Sequence, residues 1–367
     1  MEKQSYNSEQ RRVTFAAIDP YLATNVVLPT ETDLRSRGFV EWGDRNQYPE
    51  YLLDLYNTAP TLRAIVTGTA DFVAGDDVTG AAPGVDRDLV HDLALDDGIY
   101  GGFALQVIRA FDGSVAAVHY VDVRFLRSDK ENEVFRYSEK WNKGGRDVIV
   151  YPRFRPFTPE EWRALSDEEK NRHASSIFYS KNTHTQTYPA PPYAAAVKDC
   201  ELERGIADYH LNNLENGFTS SQVINFNNGV PTDAVREEIE KDFTEKFCGH
   251  QNAGRVLFSW NANRTNETTF NSPKVEDFTA KYDALSKYAR QMIFTAFGAS
   301  PVIFGIPTDN NGFSTDDYDA AFRLYNRTRV RPVQRRIADA LERIWGRPVL
   351  TIKPFTLEEG TQDTNVQ

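Results

Sequence analysis

Few residues of this 367-residue chain have the types and spacing that chemistry needs. The six histidines, at 91, 119, 173, 184, 210 and 250, include no i, i+4 pair that would set two imidazoles on one helix face for a metal. Cys200 and Cys248 lie far apart, which suits small buried hydrophobes in a reducing compartment better than a disulfide or a zinc site. Adjacent carboxylates at Asp76-Asp77, Asp96-Asp97 and Asp316-Asp317 are the candidates for acid–base or Mg²⁺ work. Neighbours in sequence point to different faces of a helix or strand, so we read these pairs as solvated turns or helix N-termini, Asp316-Asp317 most plainly. The sequence contains no phosphate loop, G-x-G-x-x-G, H-E-x-x-H, G-x-S-x-G or C-x-x-C. One enzymatic alternative stays open, a soluble α+β enzyme with a carboxylate site built from Asp96, Asp97 and His91.

Composition narrows the classes further. The chain carries 42 basic and 53 acidic side chains, a net charge of -11, with 40% hydrophobic residues. Passive, tight binding to nucleic acid rests on many Lys and Arg contacts that release counterions, so an acidic balance disfavours it without excluding DNA that passes by. No apolar run reaches the ~18 residues of a membrane span, and the opening MEKQSYNSEQRR lacks the apolar core of a secretory signal. We therefore expect synthesis in the cytosol and no membrane partner. The length allows about two to three domains and a sizeable core.

The elements that would position any site follow from periodicity. A turn-rich stretch, Trp42 to Pro49, precedes a helix with Leu52, Leu53, Leu55 and Tyr56 on its apolar face, and a second helix spans Thr61 to Ala74 with Gly75 as its stop. A third begins near Asp86. Two apolar runs flanking Asp112-Gly113 predict a hairpin, and further strands are expected at 134–137 and 148–154. Thr158-Pro159-Glu160-Glu161 reads as a helix start. Residues up to 187 thus form one α+β unit, bounded by the proline stretch Tyr188 to Tyr193. Beyond it come a long helix to Asn216, strands at 221–226 and 255–260 around an acidic helix at 232–247, a possible third strand at 268–270, and a second long helix from Val275 to Phe297. A polar loop leads into an arginine-rich helix, Thr315 to Trp345, which Pro332 should kink near Thr328. A strand is possible at 349–352.

That last helix and the residues just after it hold Arg323, Arg327, Arg329, Arg331, Arg335, Arg336, Arg343 and Arg347 in an otherwise acidic chain. Two readings stand side by side: a solvated face with i, i+4 pairs to Asp319, Asp339 and Glu342, or a subunit interface, where arginine is over-represented.

In order and spacing, Trp42-Gly-Asp-Arg-Asn-Gln-Tyr-Pro49, Tyr188-Pro-Ala-Pro-Pro-Tyr193, Asn213 to Gly217, Phe297-Gly-Ala-Ser-Pro-Val-Ile-Phe-Gly305 and Arg331-Pro-Val333 resemble the portal proteins of tailed bacteriophages, in the branch of lambdoid and related siphoviruses. The resemblance spans about residues 40 to 346. It implies an α+β portal-type fold: wing at 1–187, proline linker and first stem helix at 188–217, a small β-α-β-β clip at 218–274, second stem helix at 275–297, tunnel-loop region at 298–314, kinked wing helix and terminal strand at 315–355, and a disordered tail at 356–367. Little or no crown is expected. It also implies a homo-oligomeric ring, usually of twelve subunits, at one capsid vertex of the virion. Double-stranded DNA would pass through it non-specifically, driven by the large terminase. Major capsid or scaffolding protein and a head-tail adaptor would be further partners, and no cofactor or catalysis is implied. Thr308, Asp309, Asn310, Asn311, Gly312, Phe313 and Ser314 would then face DNA as the tunnel loop. Arg323, Arg327, Arg331 and Arg335 would lie between subunits, and Glu237, Glu240, Asn263 and Arg264 would meet terminase or adaptor at the clip. The acidic excess of the first stem helix, with Asp199, Glu201, Glu203, Asp208 and Glu215, would repel phosphates if it lined the bore.

Overall fold

The computed structural model describes residues 28–34, 37–141, 147–183, 186–215, 222–226, 256–260, 278–306 and 315–356, with single positions 232 and 235. The chain starts with a hairpin, β1 (Glu31–Leu34) and β2 (Phe39–Trp42), followed by α1 (Tyr48–Thr58) and α2 (Pro60–Ala74). Each helix has a proline in its first turn, where a missing N–H costs nothing. Strand β3 (Asp77–Gly80) leads to α3 (Arg87–Tyr100), whose N-cap Asp86 accepts from Leu89 N at 2.8 Å. The predicted Asp-Gly hairpin is present as β4 (Gly102–Arg109) and β5 (Val115–Val121), antiparallel, with β9 (Ser175–Lys181) on the other side of β4. A second antiparallel sheet, β6 (Leu126–Ser128), β7 (Val134–Tyr137) and β8 (Ile149–Pro152), lies beside it. Short helices α4 (Pro159–Ala164) and α5 (Asp167–His173) both open on a complete capping box, from Thr158 and Ser166.

Helix α6 (Val197–Glu215) then packs on α7 (Phe278–Phe297), where Tyr209 stacks on Tyr282 at 4.4 Å. Strands β10 (Gln222–Phe226) and β11 (Val256–Trp260) pair in parallel, a geometry that requires a crossover connection. The helix expected at 232–247 and the strand at 268–270 lie outside the described residues. Helix α8 (Thr315–Tyr325), a π-helical turn (Asn326–Val330) and α9 (Arg331–Trp345) follow, and β12 (Leu350–Lys353) pairs antiparallel with β3. This is an α+β fold.

The proline stretch is part of the core. Tyr188 is 2% exposed and lies flat on Trp42, with ring centroids 4.6 Å apart and planes 3° from parallel. Its hydroxyl donates to Val40 O and accepts from Ser128 N at 3.0 Å, while the Tyr193 hydroxyl donates to Ile99 O at 3.1 Å. Beside the stack is a buried knot. Asn46 Oδ1 accepts from Trp42 N at 3.1 Å and from Arg127 Nε at 2.7 Å. The remaining Arg127 donors reach the carbonyls of Asn46, Arg124 and Leu126, and its guanidinium lies near the rings of Trp42 and Trp141. Arg127 is 1% exposed, and burial pulls its ionisation down to about 10. Removal of Oδ1 would leave a buried backbone N–H and a buried charged donor unsatisfied. Asn46→Ala is therefore expected to cost about 2–4 kcal/mol in chemical unfolding, and a loss under about 0.5 kcal/mol would contradict this role.

Candidate functional site: the kinked arginine helix and its seat

Pro332 cannot donate a backbone hydrogen bond, and the ladder adjusts just before it: Arg331 N reaches back to Asn326 O across the π-helical turn. The bend predicted near Thr328 is thus a change of helical register. Arg323, Arg327, Arg331 and Arg335 are all exposed, four residues apart, along the outer side of this segment, together with Leu324 at 64% exposure. The expected i, i+4 ion pairs are not what holds them. Arg323 Nε donates to the backbone carbonyl of Asp319 at 3.2 Å rather than to its carboxylate. Among the described residues, the side chains of Arg327, Arg331 and Arg335 form no ion pair or hydrogen bond.

The other arginines of the helix face inward. Arg336 Nη2 lies 2.6 Å from Asp97 Oδ2, and Arg329 Nη2 donates to Ala296 O, in the last turn of α7, at 3.3 Å. Here the reading of Asp96-Asp97 as a solvated pair fails, because both are 4% exposed on α3. They are adjacent, so they serve different partners. Asp96 accepts from the Tyr120 hydroxyl at 3.0 Å and from Val123 N at 3.4 Å, and burial, reinforced by the nearby Asp122 charge, raises its carboxyl well above the usual range. Asp97 faces the arginine helix. Burial pushes its carboxyl up to about 6 against the opposing pull of Arg336 and Arg329. Asp76 and Asp77 are exposed, as expected. His91 sits 3.5 Å from Asp71 and 3.9 Å from Asp92, so Asp96, Asp97 and His91 do not form one site. Among the described residues, no group of three or more His, Cys, Asp or Glu converges as metal ligands, and no helix is long and apolar enough to cross a membrane.

The segment after α7 locks this seat to the core. Pro301–Phe304 forms a short 3₁₀ turn that ends at Gly305, with φ of +71°. The Phe304 ring lies near Phe72, Phe294 and Tyr325. It reaches them by lying on Gly68 of α2, where a Cβ would sit 2.9 Å from the ring. Tyr325 is tied to α2 as well, its hydroxyl 2.7 Å from Thr69 Oγ1.

The acidic helix α6 is not simply a repulsive surface. Glu203 accepts from Thr61 N at 3.2 Å and Thr61 Oγ1 at 2.6 Å, capping α2, whose own N-cap residue Ala59 offers no side-chain cap. Glu201 and Asp54 pair with Arg204 at 2.5 and 2.7 Å. One of the expected bore-lining acids, Glu203, therefore fastens α6 to α2, while Glu201 pairs within α6 and it is Arg204 that reaches Asp54 of α1. Cys200 is buried here, which pushes its thiol well up. Leu211, Leu285 and Tyr288 stand exposed on the helix pair. The proposed tunnel loop, Thr308, Asp309, Asn310, Asn311, Gly312, Phe313 and Ser314, and the proposed clip contacts, Glu237, Glu240, Asn263 and Arg264, lie outside the described residues. Sequence reasoning names Asp97 in a candidate carboxylate site and Arg329 and Arg336 in the arginine helix, but does not bring the three together. The helical wheel held the signal, since 329 and 336 are seven apart and share the inward face with Val333.

With Asp97 titrating near 6 when folded and near about 4 when unfolded, the folded state holds the extra proton between those values. Its contribution to stability is complete below about pH 4 and is lost as pH rises through 6. Asp97→Asn is expected to remove about 2 kcal/mol of that loss in urea unfolding from pH 4 to 7, and equal slopes in both proteins would contradict it.

Residues 86–354 match the phage portal protein family. An uncharacterized protein of Rickettsia felis (strain ATCC VR-1525 / URRWXCal2) is 28% identical over 171 residues, which cover 46% of this chain and 42% of that protein. One of Rickettsia bellii (strain RML369-C) is 28% identical over 169 residues, 45% of this chain and 42% of that one. The matched region thus spans less than half the length of these relatives. Among solved structures, a chain in the virion of a native gene transfer agent particle shares the fold, with a TM-score of 0.50 at 17% identity over 83% of each chain. A family match that runs from the start of α3 through the kinked arginine helix to the terminal strand covers well over half of the sequence: the chain belongs to the phage portal protein family.

Proposed function

We propose that this protein is the subunit of a portal ring at one capsid vertex, a structural conduit rather than an enzyme. The observation that carries the reading is the exposed ladder Arg323, Arg327, Arg331 and Arg335 with Leu324, which forms no ion pair among the described residues and is held outward by the inward Asp97–Arg336 pair. A monomer gains nothing from ordering four outward arginines at one spacing, whereas a neighbouring copy can pair them. The exposed apolar side chains Leu211, Leu285 and Tyr288 on the α6–α7 pair support lateral packing in the same way.

In this reading α6 and α7 are the stem, residues 218–274 the clip and 298–314 the tunnel-loop region. Thr308 to Ser314 touch the passing duplex without reading its bases. Glu237, Glu240, Asn263 and Arg264 meet the terminase and later the adaptor. The ring resides in the virion after assembly in the host cytoplasm, with capsid or scaffolding protein around it.

Two experiments test the parts separately. Arg327→Glu with Arg335→Glu should break the ring, so that mass photometry finds the 41.7 kDa monomer dominant; an unchanged oligomer removes the ladder from the interface. Replacing Asn310 to Gly312 by a shorter rigid linker should leave the ring intact and impair DNA packaging, and unimpaired packaging would overturn the loop assignment.

A further inference from the structure

A cavity of about 210 Å³ lies under the π-helical turn, lined by Thr328, Arg329 and Arg336 on the arginine helix and by Asp97, Thr69 and Ala94 opposite. Two polar groups there are incompletely served. Asp97 Oδ1 is buried and has no hydrogen-bond partner among the described residues, although Oδ2 holds Arg336. A buried carboxylate oxygen left unpaired is costly. Arg329, on the wall of the same cavity, spends its Nη2 on Ala296 O at 3.3 Å, beyond the usual range of about 2.7–3.2 Å. Ala296 lies one residue before the end of α7, where carbonyls lack intrahelical partners.

We propose that Arg329 is a two-position side chain: in one position it caps the end of α7 at Ala296, and in the other it swings into the cavity and completes Asp97. Arg329 and Asp97 line the same cavity, so the guanidinium borders the space that the second position would use. The swing trades a hydrogen bond to a helix-end carbonyl for one to a buried carboxylate whose charge Arg336 already offsets, which reduces the advantage of the second position. The consequence is a coupling. Whatever draws Arg329 to Asp97 uncaps α7 and loosens its junction with 298–306, and whatever fixes the end of α7 returns Arg329 to Ala296. A long stem-like helix and the buried core of the N-terminal unit thereby read each other's state through one side chain.

Amide exchange of peptides covering 293–306, followed by mass spectrometry on the full-length protein, tests this. Asp97→Asn weakens the second position, so Arg329 stays on Ala296 and exchange should slow by about threefold or more, the scale of a partly populated charged hydrogen bond. Arg329→Ala should speed exchange there, and Asp97→Asn added to it should change nothing further. Ala94→Val, which fills the cavity and leaves Asp97 and Arg336 in place, should slow exchange as Asp97→Asn does, and serves if the latter fails to fold. The proposal is overturned if either substitution leaves exchange unchanged or speeds it, or if the slowing persists without Arg329.

Discussion

The pairing of Asp97 with Arg336 fixes how this molecule presents its last helix. A carboxylate 4% exposed on α3 has its nearest cation 2.6 Å away on an element more than two hundred residues later in the chain. A buried pair of this kind adds little net stability, because desolvation offsets much of the attraction, but breaking it is expensive. Its value is orientation. With Arg336 committed inward and Tyr325 held by Thr69, the rotation of the helix is set, and the four-residue arginine ladder has to face outward. The register change at Asn326–Val330 lies just before Pro332, where Arg331 N bonds to Asn326 O instead of continuing the α-helical ladder.

Around this seat the elements depend on one another across long sequence distances. Glu203 of α6 caps α2, Phe304 after α7 packs into the space left by Gly68 of α2, and β12 closes on β3. Helix α2 therefore receives the first stem-like helix at its N-terminus, the segment after the second along its middle, and the kinked helix beside Thr69. Each contact is modest, yet together they leave little freedom in how the two long helices depart from the core.

Much of this was legible in the sequence. Helix ends followed from Pro49, Gly75 and Asp86, the hairpin from Asp112-Gly113, and the kink from Pro332. Two segments that read as a turn-rich stretch and a proline boundary, Trp42 to Pro49 and Tyr188 to Tyr193, are halves of one packing unit in which Trp42 and Tyr188 stack. Less legible was anything set by partners distant in sequence. Asp96-Asp97 reads as solvated because isolated carboxylates usually are, and only the fold places Tyr120 and Arg336 beside them. The acids of α6 read as free negative charge for the same reason, while Glu203 in fact caps another helix. Periodicity reports which face is apolar. It does not report which cation lies across the gap.

The central claim is that the outward arginine ladder and the exposed stem-like helices belong to a closed ring of copies. Negative-stain imaging of the purified wild-type protein across a salt series tests it most directly. The account predicts rings with a central hole, about an order of magnitude heavier than the 41.7 kDa chain and weakened as salt screens the arginine contacts. A particle that stays monomeric at every concentration and salt would contradict it.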